Sequence, residues 1–173
     1  RLGAGQFYEK LIKQIDSEKF NLINESKLCE IIHDGSQITK ISLENNGSKK
    51  DLEYDYFFIS SPFTKIAENL NPKPPNEVLE SCKRLKYRHH IGVKLLITGK
   101  TFLDNWIYIH DPNVKMARVS NYLNFSKEMS SNQNQNPLTI EYFCFESDNV
   151  WKMSEEELIA LAEKELRKTN LIN

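Results

Sequence analysis

The sequence lacks the features that mark membrane-spanning, secreted and nucleic-acid-binding proteins. Its apolar runs are strand-sized, as at residues 56–59, and none approaches the roughly 18 to 20 residues that a membrane-spanning helix needs. No charged-then-apolar leader with a small-residue cleavage site is visible at its start. The formal net charge is −1, whereas nucleic-acid-binding proteins normally carry a strong basic excess. We therefore expect a cytoplasmic protein with no membrane span and no nucleic-acid partner.

Disulfide and metal chemistry have little support in the sequence. The three cysteines, Cys29, Cys82 and Cys144, are odd in number and far apart, and no C-x-x-C pair occurs. We therefore expect buried, reduced thiols. His89 and His90 are adjacent, and neighbouring strand residues point to opposite faces, so the two cannot hold one metal ion from a regular strand. We expect no metal site.

Glycine is also scarce, and the six glycines do not form a nucleotide-binding loop. Gly3 and Gly5 begin a G-x-G pattern, but Tyr8 occupies the position of the third glycine and no strand precedes them. The nucleophile pattern G-x-S-x-G is absent as well. The sequence therefore identifies no catalytic residue and no cofactor-binding residue.

The 173 residues are enough for one domain, or for one domain and a small part of another. The chain begins with Arg1 rather than Met, and we interpret it as an internal piece of a longer protein. Proline-rich residues 71–75 and the preceding Pro62 place an internal boundary after residue 62. We expect one part at 1–62 and a second at 63–173.

The first part reads as a helix followed by a β-meander. Phe7, Leu11 and Ile15 recur at helical spacing. Strand-like runs follow at 20–24, 27–33 and 38–43, and Asp-Gly and Asn-Gly turn signals come after the second and third runs. The continuous apolar residues 56–59 predict a strand buried on both faces. If that strand lacks a neighbour, its open edge favours a homodimer through the 1–62 part.

The second part reads as two short helices, a β-sheet and a final helix. Helical patterns occur near 64–70 and after Pro75. Strand candidates are 90–98, 105–110, 117–123 and 138–146, and we expect a mobile loop at 130–137. Ser154 and Glu157 form a capping box that begins the last helix. The fold class is therefore α+β, with an antiparallel or mixed sheet and packed helices.

The strand at 105–110 carries the most informative candidate site. Trp106 and Tyr108 lie on one strand face, because residues two apart do so. If the next strand pairs with it, Arg118 comes beside the two rings, where a guanidinium can bind phosphate while the rings stack on a base or sugar. The alternative is a structural role without a ligand, in which the arginine stacks on an aromatic ring at the sheet surface. Asn121 and Tyr122 are secondary candidates.

Four segments resemble FAD-dependent flavoproteins of the amine-oxidase and protoporphyrinogen-oxidase type, and among these the UDP-galactopyranose mutase-like proteins in particular. They are residues 1–6 (RLGAGQ) with the helix after them, 24–31 (NESKLCEI), 54–62 (YDYFFISSP), and 105–108 (NWIY) with Arg118 and residues 120–122 downstream. Leu28 departs from the valine that is frequent in the family. The family's N-terminal G-x-G-x-x-G motif and C-terminal flavin segment do not occur in this chain.

The resemblance implies that 1–62 returns to an FAD-binding domain and that 63–173 is a substrate-binding domain. It also implies FAD in the parent protein and none in this piece, which would be inactive or weakly competent alone. In the mutase-like proteins, a Trp-x-Tyr strand and a following arginine contact the nucleotide and diphosphate, so the implied ligand is a nucleotide-sugar or another anion. Two alternatives stay open: a flavin-independent binding module for such a ligand, and a structural interaction domain.

Overall fold

The computed structural model describes residues 3–15, 18–132 and 134–173, and it confirms the α+β class. The chain divides into two compact units, one of residues 16–86 and one of residues 1–15 with 87–173. Residues 63–86 thus group with the meander in this division. The division into a flavin-domain part at 1–62 and a substrate-binding part at 63–173 stays a prediction. Residues 1 and 2 of the flavoprotein-like RLGAGQ segment lie outside the described residues.

The 16–86 unit contains the predicted meander. Strands β1 (Ser26–His33), β2 (Ile38–Asn45) and β3 (Ser48–Leu52) are antiparallel, and the short β4 (Leu70–Asn71) pairs with β1 in parallel. Asn46 and Gly47 both have positive φ, at 49° and 77°, which is the geometry of a tight hairpin whose twist matches the strands. Two helices, α2 (Phe63–Asn69) and α3 (Asn76–Arg84), complete the unit.

Two strand predictions in this unit are wrong. Residues 54–62 form no strand, and Tyr56 and Phe58 are 84% and 91% exposed. Residues 20–24 are also irregular and largely exposed. The reason is the same for both segments: no described strand pairs with them, so their apolar residues have no sheet to join.

The second unit is built on a four-stranded antiparallel sheet, as predicted. Its strands are β5 (His89–Thr98), β6 (Trp106–Tyr108), β7 (Arg118–Asn121) and β8 (Gln135–Cys144), in the order β5-β8-β7-β6. The predicted loop at 130–137 is shorter than expected, because residues 135–137 pair with residues 96–98 at the end of β5. Polar residues at 135–136 concealed this strand end.

Helix α5 (Glu155–Lys168) packs on one face of the sheet. Ser154 and Glu157 form the predicted capping box at its start. Its Ala162 and Leu166 are fully buried in the same core as Val119 and Ile140 of the sheet. Short helical segments at Tyr122–Phe125 (α4) and Lys127–Met129 connect β7 to β8, and one at Asn149–Lys152 lies between β8 and α5. The face of the sheet opposite this core is therefore the one left to contact other molecules.

The remaining expectations concern the N-terminal helix, the cysteines and the membrane. Helix α1 (Ala4–Gln14) forms as predicted, but none of its residues is buried. All three cysteines are free; Cys82 and Cys144 are buried and Cys29 is half-buried. In the part of the chain that the structure describes, no helix combines the length and apolar composition that a membrane crossing requires.

Candidate functional site

The candidate site lies on the face of the second sheet opposite α5, which we call the outer face. Cross-strand pairing places Tyr108 of β6 beside Arg118 of β7, and Arg118 beside Glu141 of β8. Directly paired residues of antiparallel strands share a sheet face. Trp106 pairs with Ser120 in the neighbouring row, so it lies on this face too. The predicted juxtaposition of Trp106, Tyr108 and Arg118 is therefore confirmed.

Arg118 is held in place by both of its strand neighbours. Its Nε and Nη2 donate to the same Glu141 oxygen, at 2.9 and 2.6 Å, and its Nη1 donates to the Tyr108 hydroxyl at 3.3 Å. The guanidinium carbon also lies 5.6 Å from the centre of the Tyr108 ring. The hydrogen bond to Glu141, more than any other contact, raises the pKa of Arg118 above its usual value.

Part of the guanidinium stays available to a ligand. An arginine side chain has five N–H donors. With the Nε–H, one Nη2–H and the Nη1–H engaged as above, one N–H on each terminal nitrogen has no partner among the described residues. A guanidinium that is already oriented loses less freedom when it binds an anion, because its conformation is fixed in advance.

Glu141 is the charge on which this arrangement depends. Its side chain is only 7% exposed, and the same oxygen that accepts from Arg118 lies 3.1 Å from His90 Nε2. Gly92 is the β5 residue directly opposite Glu141 and carries no side chain to cover it. A buried carboxylate is costly without partners, and here Arg118 and His90 supply them from either side.

The aromatic part of the site is a small cluster. The Trp106 ring stacks on Phe125 of α4, with ring centres 5.6 Å apart and planes within 14°. Half of Trp106 remains exposed, at 49%. Tyr122 also contacts Phe125, and its hydroxyl lies 3.3 Å from the Thr139 hydroxyl. The exposed half of Trp106 therefore offers an apolar ring surface in the row next to Arg118, which suits a planar ring of a ligand.

Asn121 has a different position from the other four predicted residues. Its side chain is 1% exposed and lies on the core-facing side of β7, the same side as Val119 two residues earlier. Its amide nitrogen donates to Thr101 Oγ1 at 2.8 Å, and its side-chain oxygen accepts the Leu123 N–H at 3.1 Å. These bonds tie the β5–β6 connection to the start of α4. Asn121 therefore positions the aromatic cluster from behind.

Sequence reasoning missed Glu141, His90 and Lys94, which also lie at this site. A signal for Glu141 exists: in β8 the apolar Leu138, Ile140 and Tyr142 alternate with polar residues, which places Glu141 on the outer face. The alternation does not say which strand lies beside it. Only the pairing of β8 with both β5 and β7 brings these charges together.

A pocket of about 410 Å³ opens on the same face, beside the aromatic cluster. We call it the outer pocket. Apolar walls come from Leu96, Met129 and Pro137, and polar groups come from Lys94, Thr139 and Tyr122. Lys94 pairs with Thr139 in the row that continues to Ser120 and Trp106. The outer pocket and the Arg118 site are therefore neighbours on one sheet face.

Comparison with known proteins places the fold. No protein-family model and no curated protein matches the chain. The crystal structure of reduced UDP-galactopyranose mutase is similar in fold, with a TM-score of 0.76 and 16% sequence identity. The match covers 100% of this chain and 37% of the mutase chain. The chain thus spans little more than a third of the mutase, and the likeness is one of fold.

Proposed function

We propose that this chain is the substrate-binding part of a flavin-dependent oxidoreductase or mutase-like enzyme. In this proposal the outer face binds an anionic ligand, such as a nucleotide-sugar. Arg118 contacts the phosphate groups, and Trp106 and Tyr108 contact the base or sugar. The observation that carries the proposal is the oriented Arg118 guanidinium, with two N–H groups free of described partners beside two exposed aromatic rings. Similarity in fold to a UDP-galactopyranose mutase supports the ligand class.

The described residues do not by themselves fit a flavin. A dinucleotide is held by a glycine-rich turn between a strand and a helix, where backbone N–H groups approach the pyrophosphate. Gly3, next to α1, follows no described strand, and Gly35 and Gly47 lie in hairpin turns. The proposal therefore assigns FAD to other residues of a longer protein, and assigns to this chain the positioning of the ligand.

The test is calorimetric titration of UDP into the wild-type chain and into Arg118→Ala. Losing the charge-assisted contacts should weaken binding by about 1.5 to 3 kcal/mol, which is roughly 10-fold to 150-fold in Kd. Arg118→Lys should restore binding only in part, because an ammonium cannot reproduce the planar fork.

Arg167→Ala is the matched control. Arg167 is an exposed arginine of α5 that pairs with Glu163, away from the outer face. Its removal should leave the UDP affinity unchanged. Equal affinities for the wild-type chain and Arg118→Ala would contradict the proposed site, as would the absence of UDP binding to the wild-type chain.

A further inference from the structure

We propose that the outer pocket binds the aliphatic part of an organic phosphate whose phosphate group lies between Lys94 and Arg118. This inference rests on the proposed function in one respect: it places the phosphate within reach of Arg118. It narrows the ligand to a phosphate ester that carries an aliphatic group on one side, and it assigns Lys94 as a second cationic contact.

The two cations, Lys94 and Arg118, lie near each other on the outer face. Lys94 pairs with Thr139, and Arg118 pairs with Glu141, two residues along the same strand. From strand spacing and rise, their Cα atoms are about 12 Å apart, separated by two strands and two residues. Both side chains are long, so their charged ends can approach one group bound between them.

Small polar side chains lie on the outer face near the two cations. Thr139 of β8 and Ser120 of β7 continue the row of Lys94 across the outer face, and Ser120 lies two residues from Arg118 on the same strand. Both side chains are small, uncharged and buried, and the Thr139 hydroxyl donates to the Tyr122 hydroxyl at 3.3 Å, so they leave room for a group bound above them. No hydrogen bond or ion pair joins Lys94 to another residue in the described ranges, so its ammonium is available.

The apolar walls of the outer pocket differ in chemistry from the aromatic cluster. Trp106 and Phe125 offer flat rings on one side of this surface, whereas the outer pocket offers Leu96, Met129 and Pro137. Leu96 is 63% exposed, so a large aliphatic side chain stands open to solvent in the pocket wall. Methionine adapts its shape to a flexible aliphatic partner. The outer pocket therefore suits a chain of methylene groups rather than a planar ring.

The experiment compares hexyl phosphate with methyl phosphate by calorimetry on the wild-type chain and on variants of the pocket. Hexyl phosphate should bind at least about tenfold more tightly, because the pocket removes several methylene groups from water. Leu96→Thr should abolish most of that preference. Lys94→Gln should weaken the binding of both esters by about fivefold in Kd, because it removes one charge-assisted contact to the phosphate group.

Two matched controls separate the pocket from general surface effects. Leu103→Thr changes a leucine that is 92% exposed outside the pocket, and Lys164→Gln changes an exposed lysine of α5. Neither should alter the affinity of either ester. Dispersed amide spectra of all variants establish that they are folded.

The outcomes distinguish this inference from the proposed function. The inference is overturned if hexyl phosphate does not bind, binds no more tightly than methyl phosphate, or keeps its advantage in Leu96→Thr. It is also overturned if Lys94→Gln binds both esters like the wild type. If UDP binding still depends on Arg118 in those cases, the proposed function stands. If Leu96→Thr and Lys94→Gln have the expected effects while UDP binding does not depend on Arg118, the outer pocket stands and the proposed function fails.

Discussion

At the scale of single residues, Glu165 of α5 shows how a buried charge organises the region next to the site. Its carboxylate accepts the backbone N–H groups of Lys115 and Met116, at 2.7 and 2.9 Å, and the Tyr142 hydroxyl at 3.3 Å. Burial, reinforced by this carboxylate, raises the pKa of Tyr142 well above its usual value. Glu165 thus fixes the segment that leads into β7 and presents Arg118.

We expect Glu165→Ala to lower the free energy of unfolding by about 2 to 4 kcal/mol, because it leaves buried N–H groups without an acceptor. Glu163→Ala is the matched control, since Glu163 pairs with Arg167 on the exposed side of the same helix. It should cost no more than about 0.5 kcal/mol. Urea unfolding of both variants measures the difference. Similar losses would show that Glu165 does not anchor the segment.

The sequence pattern places Glu165 on the buried side of α5 but does not identify its hydrogen-bond partners. Leu158, Leu161, Ala162 and Leu166 define the apolar stripe of α5, and Glu165 falls within that stripe by helical spacing. A charged residue in such a stripe marks a buried contact. Its backbone partners, Lys115 and Met116, precede it by 50 and 49 residues, and no local pattern could identify them.

At the scale of elements, turn chemistry determined which predictions succeeded. The β1–β2 hairpin closes at Asp34, whose Oδ1 accepts the N–H groups of Ser36 and Gln37 at 2.8 and 2.9 Å. These bonds, the one from Gln37 most of all, lower the pKa of Asp34 to about 2. The predicted strand at 56–59 has no partner among the described strands, and local patterns could not show this.

The Asp34 turn predicts a pH dependence of stability. Because the folded pKa lies below the ordinary value of 3.8, the ionised carboxylate stabilises the hairpin above about pH 4 and this contribution is lost as the pH falls towards 2. Asp34→Asn keeps an acceptor but does not titrate. The urea midpoint of the wild type should therefore exceed that of Asp34→Asn at pH 5, and the gap should close by pH 2. A constant gap would contradict the assignment.

At the scale of the whole molecule, the exposed segment 54–62 is the main departure from the sequence prediction. Tyr54 donates to the Ile38 carbonyl at 2.7 Å, but Tyr56 and Phe58 point into solvent. The pattern predicted a buried strand, and in the described residues no strand is placed to bury it. An exposed apolar segment that pairs with no described strand favours association with a second copy.

We therefore expect the chain to self-associate through this segment. Sedimentation of the wild type should show dimers whose population rises with concentration, and Phe58→Ser should shift the distribution to monomer. Leu103→Ser is the control, because Leu103 is equally exposed and lies in the other unit. A monodisperse wild-type monomer at high concentration, with slow amide exchange across 52–60, would count against the prediction.

The sheet of the second unit was the most predictable part of the molecule. Alternation in the strands at 106–108 and 118–121 was enough to bring Trp106, Tyr108 and Arg118 to one face, since their connection is too short for a parallel crossover. The contribution of β5 was not predictable, because β5 reaches this face through its pairing with β8, whose residues Thr139 and Phe143 follow their partners Lys94 and His90 by 45 and 53 residues. His90 and Lys94 therefore emerged only from the structure.

The most direct test of the binding site uses the two tryptophans as internal reporters. Trp106 lies on the outer face. Trp151 stacks on His89. Because the next strand residue, His90, reaches Glu141 on the outer face, His89 points to the opposite face of the sheet. In a nitrogen–proton spectrum each indole gives one signal, so UDP can be titrated while both are observed. The proposed site predicts a saturable shift of the Trp106 signal, little change at Trp151, and loss of the shift in Arg118→Ala. A Trp106 signal that does not change on addition of UDP, or that shifts equally in Arg118→Ala, would contradict the proposed site.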